Sequence, residues 1–230
     1  MNRFASQERQ ERRLGPAIAL VLVACLAAGG TGCVKLLRKS PEKRYYVLDT
    51  TRPGAPAPAA AGAEARVLSL RRFRVSPPYD MASLVYYRGA ERYESDFYDE
   101  FFLPPASMYG ERAARWLEQS GLFGHVVDSA STLTPTHVLE GAVTRACGDF
   151  SRPSKPVAVL DIQFLLLDVT RAEPRVVTRK DEHVEVPLAH TTAAAVVGGL
   201  TEALRQALEG FEAQAREALE PSAAAPAPAR

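Results

Sequence analysis

The chain has 230 residues, 47% of them hydrophobic, with 28 basic side chains against 27 acidic ones and a formal net charge of +1. That apolar fraction can fill the core of one ordinary domain, and the charge balance excludes binding of nucleic acid through overall basicity. Three cysteines in a chain of this length exclude a disulfide-stapled mini-protein.

The first element reads as an address. Arg3, Arg9, Arg12 and Arg13 stand against Glu8 and Glu11, and an uncharged run follows from Pro16 to Gly30. The run is shorter than the roughly 20 apolar residues of a membrane-spanning helix. Basic, apolar and then small residues, in that order over 1–32, make a secretory signal peptide. Its end, Gly30-Thr31-Gly32-Cys33, resembles a bacterial lipobox, which assigns lipid attachment to Cys33; Leu22-Val23-Ala24-Cys25 makes Cys25 the alternative. Acylation supplies more than one buried chain, enough for stable anchoring. Val34 rather than Asp follows Cys33, which by the sorting rule for such proteins implies the outer membrane, facing the periplasm. Cleavage leaves 24 basic and 25 acidic residues, and Cys147 as the one thiol besides the anchor. Cys147 then reads as a small apolar filler on a strand.

Residues 33–65 read as a lipidated tether. A basic stretch leads to a short strand, Arg44–Thr50 (RYYVLDT), and then to RPGAPAPAAAGAEA, Arg52–Ala65. Proline and alanine in this density build no packed core, and the linker is expected to be mobile. A tail over 220–230, which ends PSAAAPAPAR, has the same character.

The segment between them, 66–219, reads as one α+β domain. Val67 to Val75 has loose strand alternation and stops at Pro77-Pro78. Leu84–Arg88 and Arg92–Ser95 flank Gly89-Ala90-Glu91 as a β-hairpin. Pro104-Pro105 opens a helix with Ala106, Tyr109, Ala113, Trp116 and Leu117 at helical spacing, and Gly121 ends it. Strands are expected at Phe123–Val127, from His137 to Val143, at Val157–Val169 and at Arg175–Val186. Thr191 to Leu219 then forms an amphipathic helix. Short turns between consecutive strands favour a largely antiparallel sheet with the two helices packed on one face.

Residues for catalysis are not evident. The chain has no GxSxG, HExxH, CxxC or Walker pattern, and His125, His137, His183 and His190 are expected at surface or loop positions. Asp161 and Asp168 lie seven apart on one strand, hence on opposite faces. Gly198-Gly199 reads as close helix packing. No enzyme activity, metal or cofactor is expected. The densest chemical signal is aromatic: Tyr79, Tyr86, Tyr87, Tyr93, Phe97, Tyr98, Phe101, Phe102 and Tyr109 are half of the chain's Phe, Trp and Tyr residues. Mixed with Arg88, Arg92 and several carboxylates, they suit a protein interface or the core of the hairpin and helix, and both readings stay open.

RYYVLD shortly after a lipidated cysteine, followed by VLSLRRFRVSPPYDMASLVYYRGAERYESDFYDEFFLPPASMYGERAARWLEQSGLFGHVV, resembles the ABC-type transport auxiliary lipoproteins, the family of paraquat-inducible protein C. The later HVLEGAV and VAVLDIQFLLLDV strands fit the same pattern. The resemblance implies a non-catalytic accessory subunit that works with an MCE-domain protein and an ABC permease and ATPase in lipid transport between membranes. Tyr79, Tyr86, Arg88, Tyr93, Phe101 and Phe102 are the candidate partner-binding residues. No nucleic-acid partner is expected, and self-association stays open. The alternative is a lipoprotein that itself carries a lipid or lipopolysaccharide in an apolar pocket.

Overall fold

The computed structural model describes residues 42–128 and 130–220, and the folded unit begins at Lys43. The signal segment, Cys25, Cys33 and the tail beyond 220 lie outside the described residues.

Among the described residues, nine strands and two α-helices follow in chain order: β1 (Arg44–Tyr46), β2 (Val67–Leu70), β3 (Arg74–Val75), β4 (Ser83–Tyr87), β5 (Tyr93–Phe101), α1 (Pro105–Glu118), β6 (His125–Val127), β7 (His137–Asp149), β8 (Val157–Asp168), β9 (Arg175–Pro187) and α2 (Ala193–Leu219). The long strand β7 organises the sheet. One of its edges pairs with β8 along its whole length. The other carries three short strands end to end, β2 at Val138, β3 at Val143 and β4 at Gly148, all parallel to it. Beyond β4 lie β5 and then β1; beyond β2 lies β6; and β9 flanks β8.

The expected α+β class holds, but the sheet is mixed. The long ladders β7–β8 and β8–β9 and the hairpin β4–β5 are antiparallel. The pairings β1–β5, β2–β6, β2–β7, β3–β7 and β4–β7 are parallel. Strand order in the sequence suggested hairpins throughout. The early strands instead reach β7 through crossovers, which only long-range pairing reveals. The single expected strand over 67–75 is also broken, because Phe73 turns inward between β2 and β3.

Both helices cover one face of this sheet. On β8, Leu160, Ile162, Phe164 and Leu166 are fully buried at every second position, while Asp161 and Gln163 face outward. Phe164 stacks on Phe211 of α2 at 4.8 Å and meets Phe73 edge-on at 6.2 Å. Burial of each such side chain contributes roughly 1.5–3 kcal/mol. Two glycines set the distance between layers. A Cβ at Gly199 would lie 2.6 Å from the Ala158 Cβ, and one at Gly141 would overlap the Phe73 ring. Helix α2 is capped by Thr192, whose hydroxyl accepts from the Ala195 N–H at 3.3 Å. Cys147 is fully buried on β7 as packing.

The Pro/Ala stretch differs most from expectation. Residues 52–65 are a docked strap. The Ala57 N–H donates to the Gln119 carbonyl at 2.9 Å and the Ala60 N–H to that of Gly121 at 2.8 Å. Those carbonyls follow the end of α1, where a helix leaves acceptors without internal partners. A turn of 3₁₀ helix, Ala63–Ala65, closes the strap with Ala63 buried. The Arg66 guanidinium then donates to the carbonyls of Ala61, Leu122 and Leu219 at 3.0, 3.1 and 2.8 Å. Alanine and proline make no core of their own, yet their small side chains let the backbone lie against a helix end. Gly121, at φ 69°, turns the chain beneath the strap, and a Cβ there would overlap the Pro58 carbonyl oxygen.

Among the described residues, no helix is long and apolar enough to cross a membrane.

Candidate interaction site

The aromatic segment divides between core and surface. Tyr79, Tyr86 and Phe101 are buried, while Tyr93 and Phe102 are exposed and Arg88 is half-buried. Alternation together with a register break explains the division. Near the end of β5, Asp99 and Phe101 face the core while Glu100 does not. The irregularity between the Glu100 and Ser95 pairings reverses the faces so that Tyr93 is exposed, and Phe102 emerges just past the strand end.

Two exposed clusters result, at opposite ends of β5. The first surrounds the β4–β5 turn, where Gly89, Ala90 and Glu91 all adopt positive φ, at 85°, 49° and 60°. Its rings interlock, with Tyr87 4.9 Å and Tyr79 6.5 Å from Tyr93. Arg88 lies over Phe150 at 4.9 Å and over Tyr86 at 5.6 Å, and it pairs with Glu94 at 2.7 Å. Arg145 covers Tyr87 at 5.5 Å and pairs with Asp149 at 2.7 Å. Tyrosines with half-buried arginines are the composition of binding hot spots.

The second cluster holds Tyr45, Phe97, Tyr98 and Phe102. Tyr45 meets Phe102 edge-on at 6.1 Å, Phe97 meets Tyr98 at 5.1 Å, and the Lys43 ammonium sits 5.2 Å from the Phe97 centroid. Sequence reasoning missed Tyr45 and did not single out Phe97. The run RYYVLD gave no sign that its strand pairs with β5, since Tyr45 lies opposite Glu100 only through a parallel pairing across more than 50 residues.

Between the clusters a half-buried polar hinge fixes β5. The Tyr86 hydroxyl donates to Asp96 at 2.8 Å, and the Tyr98 and Asp99 N–H groups donate to the other Asp96 oxygen at 2.9 and 3.0 Å. Burial pushes the Tyr86 hydroxyl pKa up, and the bond to Asp96 raises it further. Burial pushes the Asp96 carboxyl up too, but these three donors outweigh it and hold the group below the usual carboxylate range. The arrangement aims β5.

The remaining titratable groups do not converge. His137 is buried, which overturns the surface placement expected for all four histidines. Its position on β7 lies beneath Phe123, whose ring is 5.8 Å away, and burial lowers its pKa. His183 pairs with Asp161 on the uncovered sheet face, a bond that raises the histidine's pKa. Asp168 instead accepts from Thr170 in a local turn. No group of three or more metal-ligating side chains occurs among the described residues.

No family model and no curated protein matches the chain. Solved structures do. Protein XCC0632 from Xanthomonas campestris, of the family described as DUF330, superposes with a TM-score of 0.57 at 20% identity, over 74% of this chain and 90% of that one. A second, uncharacterised protein gives 0.58 at 15% identity, over 75% and 97%. Lipoprotein GNA1162 from Neisseria meningitidis is more distant, at 0.34 and 10% identity over 63% and 99%. The chain thus shares the fold of the DUF330 protein.

Proposed function

We propose that the protein is a lipid-anchored, outer-membrane lipoprotein facing the periplasm, a non-catalytic accessory subunit of an ABC/MCE-type intermembrane lipid-transport system. The observation that carries the reading is the order of the motifs from a lipobox-like cysteine to the apolar β8 strand, on a chain with the DUF330 fold. The partner-binding surface is the turn end of the β4–β5 hairpin, with Tyr87, Arg88 and Tyr93 as its anchors. Tyr79, Tyr86 and Phe101 act there from beneath, by holding the hairpin. The alternative, a lipid carrier, has less support: the space between sheet and helices is filled by Phe73, Phe164, Phe211 and Trp116.

The test is binding of a purified MCE-domain protein to the full chain reconstituted in vesicles. Tyr93→Ser with Arg88→Glu should weaken that binding at least roughly tenfold, as loss of about 1.4 kcal/mol from a hot spot does. Absence of binding by the unaltered chain at about 100 μM protein overturns the proposal.

A further inference from the structure

We propose that Tyr45, Phe97 and Phe102 form a bilayer-facing patch that rests in the headgroup region of the membrane holding the anchor. This rests on the reading of Cys33 as the acylated residue.

Three observations carry it. First, the patch is exposed to an extent unusual for aromatic side chains: Phe97 is 70%, Phe102 68% and Tyr45 56% accessible. Tyr46 and Phe101 are neighbours of Tyr45 and Phe102 in the chain and turn toward the core, so Tyr45 and Phe102 project from the face opposite the helices, and Lys43, paired with Glu100, lies over Phe97. Met81, also exposed, sits in the adjoining loop, where the Phe101 N–H donates to the Ala82 carbonyl at 2.6 Å.

Second, the covalent path limits where the anchor can be. Lys43 is ten residues after Cys33, so the acylated cysteine lies within about 33–36 Å of it however the segment is arranged. Lys43 itself covers Phe97. The patch is therefore the part of the fold at which the anchored chain enters. The hairpin turn with Tyr93 lies about 20 Å from Phe102, since Glu100 and Tyr93 pair with Ser83 and Tyr87, only four strand steps apart.

Third, the chemistry suits a membrane interface. Tyrosine concentrates at headgroup depth, and phenylalanine on the apolar face of an interfacial segment buries at the boundary with the acyl chains. The charges beside these rings are already matched, Lys43 with Glu100 at 2.5 Å and Arg44 with Asp99 at 2.6 Å. Insertion would thus rest on the rings and be little affected by salt.

The experiment uses the full chain, purified with its anchor and checked for acylation by mass spectrometry, in vesicles of phosphatidylethanolamine and phosphatidylglycerol with brominated acyl chains. Trp116 is the chain's one tryptophan and is buried, so its emission is a constant reference and a check on folding. The Phe97→Trp and Phe102→Trp variants should each carry an indole quenched about twofold relative to unbrominated vesicles. The indole of Tyr93→Trp should not be quenched. Acylated protein in which the introduced indoles at 97 and 102 are quenched no more than that at 93 overturns the patch alone. A mass without acyl chains overturns the anchoring reading, and the patch with it. Protection of the 102 indole that arises only when an MCE-domain protein is added assigns the rings to a protein partner, which also overturns the proposal.

Discussion

Glu212→Ala tests what holds the strap to the helices. The Glu212 carboxylate, on α2 and nearly buried, accepts from Arg52 Nε and Nη2 at 2.9 and 3.0 Å, from Trp116 Nε1 at 2.8 Å and from Arg216 at 3.0 Å. Truncation leaves the Trp116 N–H buried without an acceptor, a cost of about 1–3 kcal/mol. Arg52, whose side chain is only 18% accessible, loses both its bonds to the carboxylate. Together these give a loss of about 3–4 kcal/mol, within the range for removing one partner of a buried ion pair. The melting temperature should fall by about 6–15 °C. Glu212→Gln keeps an acceptor for Trp116 and should cost about 1–2 kcal/mol. The assay is urea unfolding followed by Trp116 emission, in a double-mutant cycle with Arg52→Ala, where the coupling should be about 1.5–3 kcal/mol. A loss below about 1 kcal/mol, or a coupling within about 0.5 kcal/mol of zero, refutes the reasoning. Acidity probes the same network. Burial pushes the Glu212 carboxyl up, but the bonds from Arg52, Arg216 and Trp116 outweigh it and hold its pKa low. Its contribution is present above the unfolded value of about 4.3 and is lost as pH falls through the lower folded value.

Phe101→Ala should cost about 3–5 kcal/mol in urea unfolding, while Phe102→Ala should stay within about 0.5 kcal/mol, because one ring is core and the other is not. Gly141→Ala should destabilise by about 1–3 kcal/mol by pushing Phe73 off the sheet, and Phe73→Leu in the same chain should recover part of that loss. The His183 pair titrates in the opposite sense to Glu212. Its bond to Asp161 raises the histidine's pKa, so its contribution is present below about pH 6.5 and is lost as pH rises through the folded value. In stability curves taken across that range, His183→Gln should remove this decline.

Much of the fold was legible where the signal is local. The hairpin turn, the start of α1 at Pro105, the strand β8 and the last helix, which begins two residues after the expected Thr191, all follow from neighbouring residues. What depends on distant partners was not. The parallel pairings to β7 join residues about 70 positions apart, as between Ser69 and Val138. The docking of residues 52–65 is also hidden, since the acceptors lie at the end of α1 and the composition alone speaks for a linker. For the site, the aromatic density was visible, but the register break within β5, which pairing with β4 reveals, decides which rings reach the surface. Tyr45 entered the picture only through a three-residue edge strand.

The strap has a mechanical consequence. Tension on the tether would enter the fold at Lys43 and Arg44, which two ion pairs and three residues of edge strand hold in place. Behind them, the chain up to Arg66 is laid against the helices rather than threaded into the sheet. Were that length peeled away, at the cost of drawing Leu48 out of the core, 24 residues from 43 to 66 would add about 80 Å to the distance the domain can stand from its anchor. The proline-alanine stretch would then act as a coiled reserve of line, paid out only under load.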